Sequence, residues 1–248
     1  ALLDTTGFSR EEPPERVSLR MNSLFMVADM AIRALADPTI DRYRDALVLG
    51  SLREDVAWIP VAGMVWEHWS FSHFYREGIP GGILPYLWPG PRFCANRLFE
   101  RALSLHRAGE VEAGFVQIGR VLHYVTDMCC PVHAHGVVHE TDPYEWYVEA
   151  NKQKLIRLPV PPIPVANTAA DCVQGIARIT QAHPPDRTNH WIGRALLRAG
   201  LRAKVPRAQI VEQARVLVPA GAAWAAALLE LYLREAFGTI RSAPARAA

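Results

Sequence analysis

The chain has 248 residues, half of them apolar and 21% charged, with a formal net charge of +2. Such proportions build a folded globular core and exclude a mostly disordered chain. The near balance of 27 basic against 25 acidic residues offers no basic excess of the kind that points to nucleic acid. Four cysteines, Cys94, Cys129, Cys130 and Cys172, are too few for a disulfide scaffold. With no CxxC among them, they read as buried thiols in a reducing compartment rather than as zinc ligands.

The first sixteen residues lack a basic start followed by an apolar run. They are expected to form an N-terminal extension (1–16), and the expected location is cytoplasmic unless a leader was removed ahead of residue 1. Val17, Met21, Leu24, Val27, Ala31 and Leu35 recur at three- and four-residue steps, which predicts a helix. Asp37-Pro38 breaks it, and a second helix is expected from Ile40 to about Leu52. Glu54 to Pro91 is irregular and rich in aromatic residues, among them Trp58, Trp66, Trp69 and Trp88. A loop of that length is usually functional or partly helical, and its aromatics either pin it to the helices or line a ligand.

Helical patterning returns from Arg92 to Ala108 and again from Glu110 to about Met128, with Gly109 and Pro131 as breaks. Asp142-Pro143 has the form of a cap followed by proline at the first helical position, opening a helix that runs to Leu155. Leu158 to Val165, four of its residues proline, is an extended connector. Two or three more helices follow, the last from Ala208 to Phe237 with a kink expected at Pro219. The most apolar stretch, Val216 to Leu233, contains Pro219 and Glu230 and falls short of the roughly 20 clean residues of a membrane span. No transmembrane segment is therefore expected. No run alternates as strands do. The reading is all-α: a single-domain multi-helix bundle over residues 17–241, with a flexible tail at 242–248.

The chemistry concentrates in one stretch, from His123 to Glu145, which holds four of the nine histidines together with Asp127, Glu140 and Asp142. His123 and Asp127, four apart on a helix, present imidazole and carboxylate on one face. Gly119, a turn earlier on that face, leaves room for something bulky or lets another helix approach. Pro131 turns the chain so that His133 returns towards the same centre. An HxxxD pair alone is most often a hydrogen-bonded pair. So many imidazoles and carboxylates in a partly apolar stretch are costly to bury unless a cation satisfies them, and they are donors that zinc and similar divalent ions accept. Asp55, His68 and His73 stand upstream in the aromatic segment, each unremarkable alone.

Leu122-His123-Tyr124-Val125-Thr126-Asp127, followed by Pro131-Val132-His133-Ala134, is similar to the HxxxD…PxH signature of the zinc-dependent phospholipase C family, which is related to the single-strand-specific zinc nucleases. Ser72-His73-Phe74-Tyr75 resembles a family segment that carries a histidine ligand. Asp55, closing Gly50-Ser51-Leu52-Arg53-Glu54-Asp55, stands where the family has a metal-binding aspartate, and Tyr144-Glu145 resembles its last ligand segment. The resemblance implies the family's all-α fold, zinc ions in a cleft and hydrolysis of phosphodiesters. Carried over by position, one ion falls to Asp55, His73, His123 and Asp127, and a second to His133, Glu145 and a histidine. The resemblance further implies two catalytic residues, Asp127 as shared carboxylate and Asp55 as ligand and proton acceptor.

Two departures follow. Ser23 or Leu24 replaces a first-helix histidine and no tryptophan stands at the start, so two zinc ions are expected where the family has three. Thr141 occupies the place of the histidine that precedes the glutamate by four; His139 is the first substitute, with His135 and Asp142 behind it. The leading expectation is a metal-dependent hydrolase of a small-molecule or lipid-like phosphoester. The alternative is a biosynthetic metalloenzyme of another class (lyase, cyclase or oxygen-using), for which the same donors hold iron or manganese. A metal-stabilised binding protein without turnover is the third reading.

Overall fold

A computed structural model of the chain describes residues 26–56, 73–75, 89–139 and 142–238. The expectations for the N-terminal extension, Ser23, His68, most of the aromatic segment and the tail lie outside the described residues, as does the side chain of Asp55. The helices are α1 (26–35), α2 (Pro38–Arg42), α3 (Arg44–Val56), α4 (Pro91–Arg107), α5 (Val111–Asp127), α6 (Pro131–Ala134), α7 (Pro143–Leu155), α8 (Ala169–Gln181), α9 (Trp191–Arg198) and α10 (Arg207–Phe237). No β-strand occurs among the described residues, and the architecture is an all-α multi-helix bundle.

The starts of these helices are written in their first residues. Pro38, Pro91, Pro131 and Pro143 each open a helix, where the missing N–H removes a donor that has no intrahelical acceptor. Asp37, Asp142 and Thr168 cap α2, α7 and α8 through their side chains, Thr168 reciprocally with Asp171. The second expected helix differs in detail. Asp37 starts it two residues early, by accepting from the Thr39 N–H, and Tyr43 interrupts it to stack on Phe115 with ring centroids 4.4 Å apart. The chain then continues as α3 to Val56.

α5 is the axis of the bundle. From Gly114 to Val125 almost every residue is buried, because α3, α4, α8 and α10 all pack around it. α10 runs through Pro219 as one 31-residue helix and lines the far side of the core. Contrary to the expectation from Val216–Leu233 alone, α10 is long and apolar enough to cross a membrane; 78% of its most apolar window is buried inside the bundle. A helix that is apolar all round must be covered on every side, and here the covering is other helices.

The crossing of α3 and α5 fixes the position of the site. A Cβ built on Gly119 would stand 2.2 Å from the Leu47 carbonyl oxygen, and one on Gly50 would stand 2.0 Å from that of Val116. The glycine one turn before His123 therefore admits a neighbouring helix, the second of its two readings. Tyr43 meets Phe115 and Gly50 meets Gly119, so the contacts advance in the same direction along both helices. The backbone of the last turn of α3, which carries Asp55, is thereby carried towards the turn of His123.

An alanine inside an exposed helix would gain about 1 kcal/mol over glycine. Here the clash with backbone dominates, and overpacking costs about 1–3 kcal/mol. Gly119→Ala is expected to lower the melting temperature by several degrees in differential scanning calorimetry, whereas Gly109→Ala, with open space around it, is expected to act only through its left-handed backbone (φ 84°).

Candidate metal centre

α5 presents His123 and Asp127 one turn apart, the ring fully buried and the carboxylate nearly so, with His123 Nε2 3.2 Å from Asp127 Oδ2. His73 enters from the segment 73–75. Its Nδ1 hydrogen-bonds Asp127 Oδ2 and lies 3.3 Å from His123 Nε2. The segment is pinned by Tyr75, whose N–H donates to the carbonyl of His133 at 3.1 Å. Three donor atoms from two separate parts of the chain thus lie within 4.8 Å of one another.

A second cluster adjoins the first. His133 lies on α6, and its ring is 6.3 Å from that of His73. Gly136, at φ 60°, takes the left-handed conformation, which glycine adopts without steric cost. The resulting turn returns His139 onto His133 with ring centroids 5.0 Å apart. Asp142 accepts from the N–H groups of Tyr144 and Glu145 at 2.8 and 3.1 Å, so the cap that starts α7 also orients Glu145 in its first turn. Glu145 Oε1 is 3.2 Å from His133 Nε2, and its Oε2 is 3.7 Å from His139 Nε2. The His139 Nδ1–H donates to the Val137 carbonyl at 3.1 Å, which turns Nε2 towards the glutamate.

The charges are mutually dependent. Burial alone would raise the Asp127 carboxyl, but His123, His133 and His73 surround it and hold it well below the usual carboxylate range. Glu145 is lowered in the same way to about 2, the hydrogen bonds of His133 and His139 outweighing its desolvation. Burial lowers both of those rings; Asp127 and Glu145 for His133, and Glu145 with the Val137 carbonyl for His139, more than reverse it. Asp142 moves the other way, to about 6, through burial and the nearby Glu145.

His73, His123 and Asp127 come together, as do His133, His139 and Glu145. His135 does not join them: its Nε2 bonds the carbonyl of His183 at 2.9 Å, towards α8. Asp142 is occupied as a cap. Arg120 is buried and donates to Gln117.

Cys130, read from the sequence as a buried thiol, is buried and also adjoins the second cluster. Cys130 Sγ lies within 4.8 Å of donor atoms of both His133 and Glu145. The absence of CxxC argued against a thiol ligand, but Cys130-Pro-Val-His133 is itself a ligand spacing, with Cys130 at the cap of α6. Its neighbour Cys129 faces the opposite way, against Gly221 of α10. Burial, Glu145 and Asp142 raise the Cys130 thiol well above its ordinary value, so it carries its proton unless a cation displaces it. The donor chemistry fits a borderline-soft divalent ion: imidazole, carboxylate and thiol together are what zinc accepts. His133 Nδ1 is buried with no hydrogen-bond partner among the described residues, and such an atom costs free energy unless something takes its lone pair or proton.

No family model matches the chain. It is similar to a phospholipase C of Listeria monocytogenes, 28% identical over 87 residues, which make up 33% of this chain and 30% of that relative. It also resembles the crystal structure of Clostridium perfringens alpha-toxin from avian strain SWCP, with a TM-score of 0.60 and 13% identity over 89% of this chain and 65% of that one. The matched part thus spans under a third of the curated relative and under two thirds of the solved structure. The fold likeness and the sequence match agree with the resemblance to the zinc-dependent phospholipase C family.

Two outcomes follow for the protein without added metal. Glu145, depressed to about 2, contributes stability above its ordinary value of 4.5 and loses it as pH falls. His133 and His139, raised above 6.5, contribute below that value and lose it as pH rises through their folded values. The difference in melting temperature between wild type and Glu145→Gln is therefore expected to be largest between pH 4.5 and 6.5. The stabilisation by added zinc is expected to grow above that window, because the ligand rings must be neutral; calorimetry across pH measures both.

Proposed function

We propose that this protein is a metal-dependent hydrolase of phosphoesters, acting on a phosphodiester or phospholipid-like substrate. The observation that carries the reading is the contiguity of the two donor clusters: His73 and His133 stand ring to ring at 6.3 Å, with Asp127 under the influence of rings from both. Adjacent cation positions of this kind form the clamp used for in-line displacement at phosphorus. The likeness to a phospholipase C and to alpha-toxin supports the same reading.

In this proposal His73, His123, Asp127 and Asp55 hold one ion, and His133, His139, Glu145 and Cys130 hold the second. Bound divalent ions lower the pKa of water towards 7 and offset charge on phosphoryl oxygens. The chain's own groups set the stage for that chemistry. The three imidazoles around Asp127 hold its carboxyl well below the usual carboxylate range. The Val137 carbonyl holds His139 with Nε2 towards Glu145, and the cap at Asp142 fixes Glu145. Asp55, on the last turn of α3, is assigned proton removal on the strength of the resemblance.

His123→Ala is expected to lose an ion and, with it, at least 100-fold in hydrolysis of a chromogenic phosphodiester, a loss typical of removing a catalytic group; elemental analysis and steady-state rates are the measurements. Chelation is expected to abolish the activity reversibly. A fully metallated protein inert on phosphomonoesters, phosphodiesters and phospholipids would sink the hydrolase reading.

A further inference from the structure

α6 carries His133 on a single turn, Pro131–Ala134. One turn of helix does not hold itself, because its few hydrogen bonds do not offset the backbone entropy lost in fixing it. What aims the His133 ring must reach α6 from elsewhere. Carbonyls of α6 are taken by the chain that follows: Pro131 accepts from the His135 N–H at 3.1 Å, Val132 from that of Val137 at 2.8 Å and His133 from that of Gly136 at 3.0 Å. These bonds close the turn on itself and leave its place in the molecule open. The Tyr75 N–H on the His133 carbonyl ties one side of it to the segment 73–75.

The other side is tied to α8. Gln181, the last residue of α8, donates from Nε2 to the Ala134 carbonyl at 3.0 Å. In the opposite sense, His135 Nε2 donates to the His183 carbonyl at 2.9 Å. Each segment thus sets a side chain on the other's backbone, at 134–135 on one side and 181–183 on the other. A carbonyl only accepts, so each bond needs an N–H from the side chain opposite. The α8 side of this clasp is firmly seated. α8 buries Val173, Ile176, Ala177 and Thr180 and packs on α4 and α10. The next carbonyl along, that of Pro184, accepts at 2.9 Å from Gln213, a buried residue of α10.

We propose that Gln181 and His135 are positioning residues, and that their clasp holds His133 in place for the second cation. The inference rests on the reading of His133 and Glu145 as metal donors. Glu145 belongs to α7 and is fixed by the Asp142 cap, without help from α6. Releasing α6 from α8 therefore leaves Glu145 where it is and frees the turn that brings His133 Nε2 within 3.2 Å of it. His123 and Asp127 of α5, with His73, do not use the clasp. Its loss acts on one cluster and spares the other. His135, a ligand candidate by sequence, thus serves the site through the backbone of α8 instead of through a metal bond.

The test compares Gln181→Glu with wild type in the full chain. The variant keeps the size of the side chain and sets an acceptor against the Ala134 carbonyl. Titration with cobalt(II), read by visible absorption and by competition with a chelator, gives the affinity and the coordination spectrum of each ion. Gln181→Glu is expected to weaken one ion by about 10- to 100-fold, as removal of a residue that orients a ligand does, with loss of its visible bands, and to leave the other unchanged. His135→Phe is expected to do the same, and Gln181→Lys, which keeps a donor, to recover most of the affinity. Val173→Ala, a truncation in the buried face of α8, is expected to lower the melting temperature without selective loss of either ion. In the metal-free protein the amides of Gly136 and Val137 are expected to exchange roughly tenfold faster in Gln181→Glu than in wild type. Two ions bound alike by wild type and Gln181→Glu, equal weakening of both, or unchanged exchange of the two amides overturns the positioning role alone. A wild type that binds one ion or none overturns the metal reading of the second cluster, and the positioning role with it.

Discussion

One carboxylate organises the functional half of this molecule. Asp127 ends the most buried helix of the bundle, and three imidazoles from three parts of the chain converge on it. A charge in that position is tolerable only when its surroundings compensate it. The compensation comes from imidazoles, groups able to ligate a cation, so what permits Asp127 to be buried also assembles a set of candidate donors. The neighbouring cluster repeats the logic with Glu145 between His133 and His139.

The scaffold serves that arrangement through close approach rather than through special chemistry. Gly50 and Gly119 let α3 and α5 cross with their backbones in contact, one turn from His123. The hydrogen bond from the Tyr75 N–H to the His133 carbonyl ties the entry of His73 to the position of α6. Displacing either contact would move several candidate donors at once, because each is held by elements that also hold another. Proline at the start of α6 and α7, and glycine at the turn between them, then compress four candidate donors into sixteen residues of chain, Cys130 to Glu145.

The departures from the family pattern have a physical meaning of their own. Thr141 removes an imidazole, and the geometry offers two replacements: His139, whose Nδ1 is held by the Val137 carbonyl, and Cys130, whose thiol donates to Asp142 Oδ1 at 3.9 Å and lies within 4.8 Å of donor atoms of His133 and Glu145. A thiol in the set favours a softer ion than carboxylate and imidazole alone.

Much of this was legible in the residues themselves. Helical period, the Asp142-Pro143 cap and the HxxxD spacing are local properties, fixed by bonds and contacts within a few residues, and they located α4, α5 and α7 to within a residue or so. Tertiary structure decided everything that depends on which distant segments meet. It chose helix approach over ligand space at Gly119, brought His139 and not His135 to Glu145, and turned Cys130 towards the site and Cys129 towards α10. A sequence specifies the turn a side chain occupies; only the packing of that turn against the rest of the chain specifies what it faces.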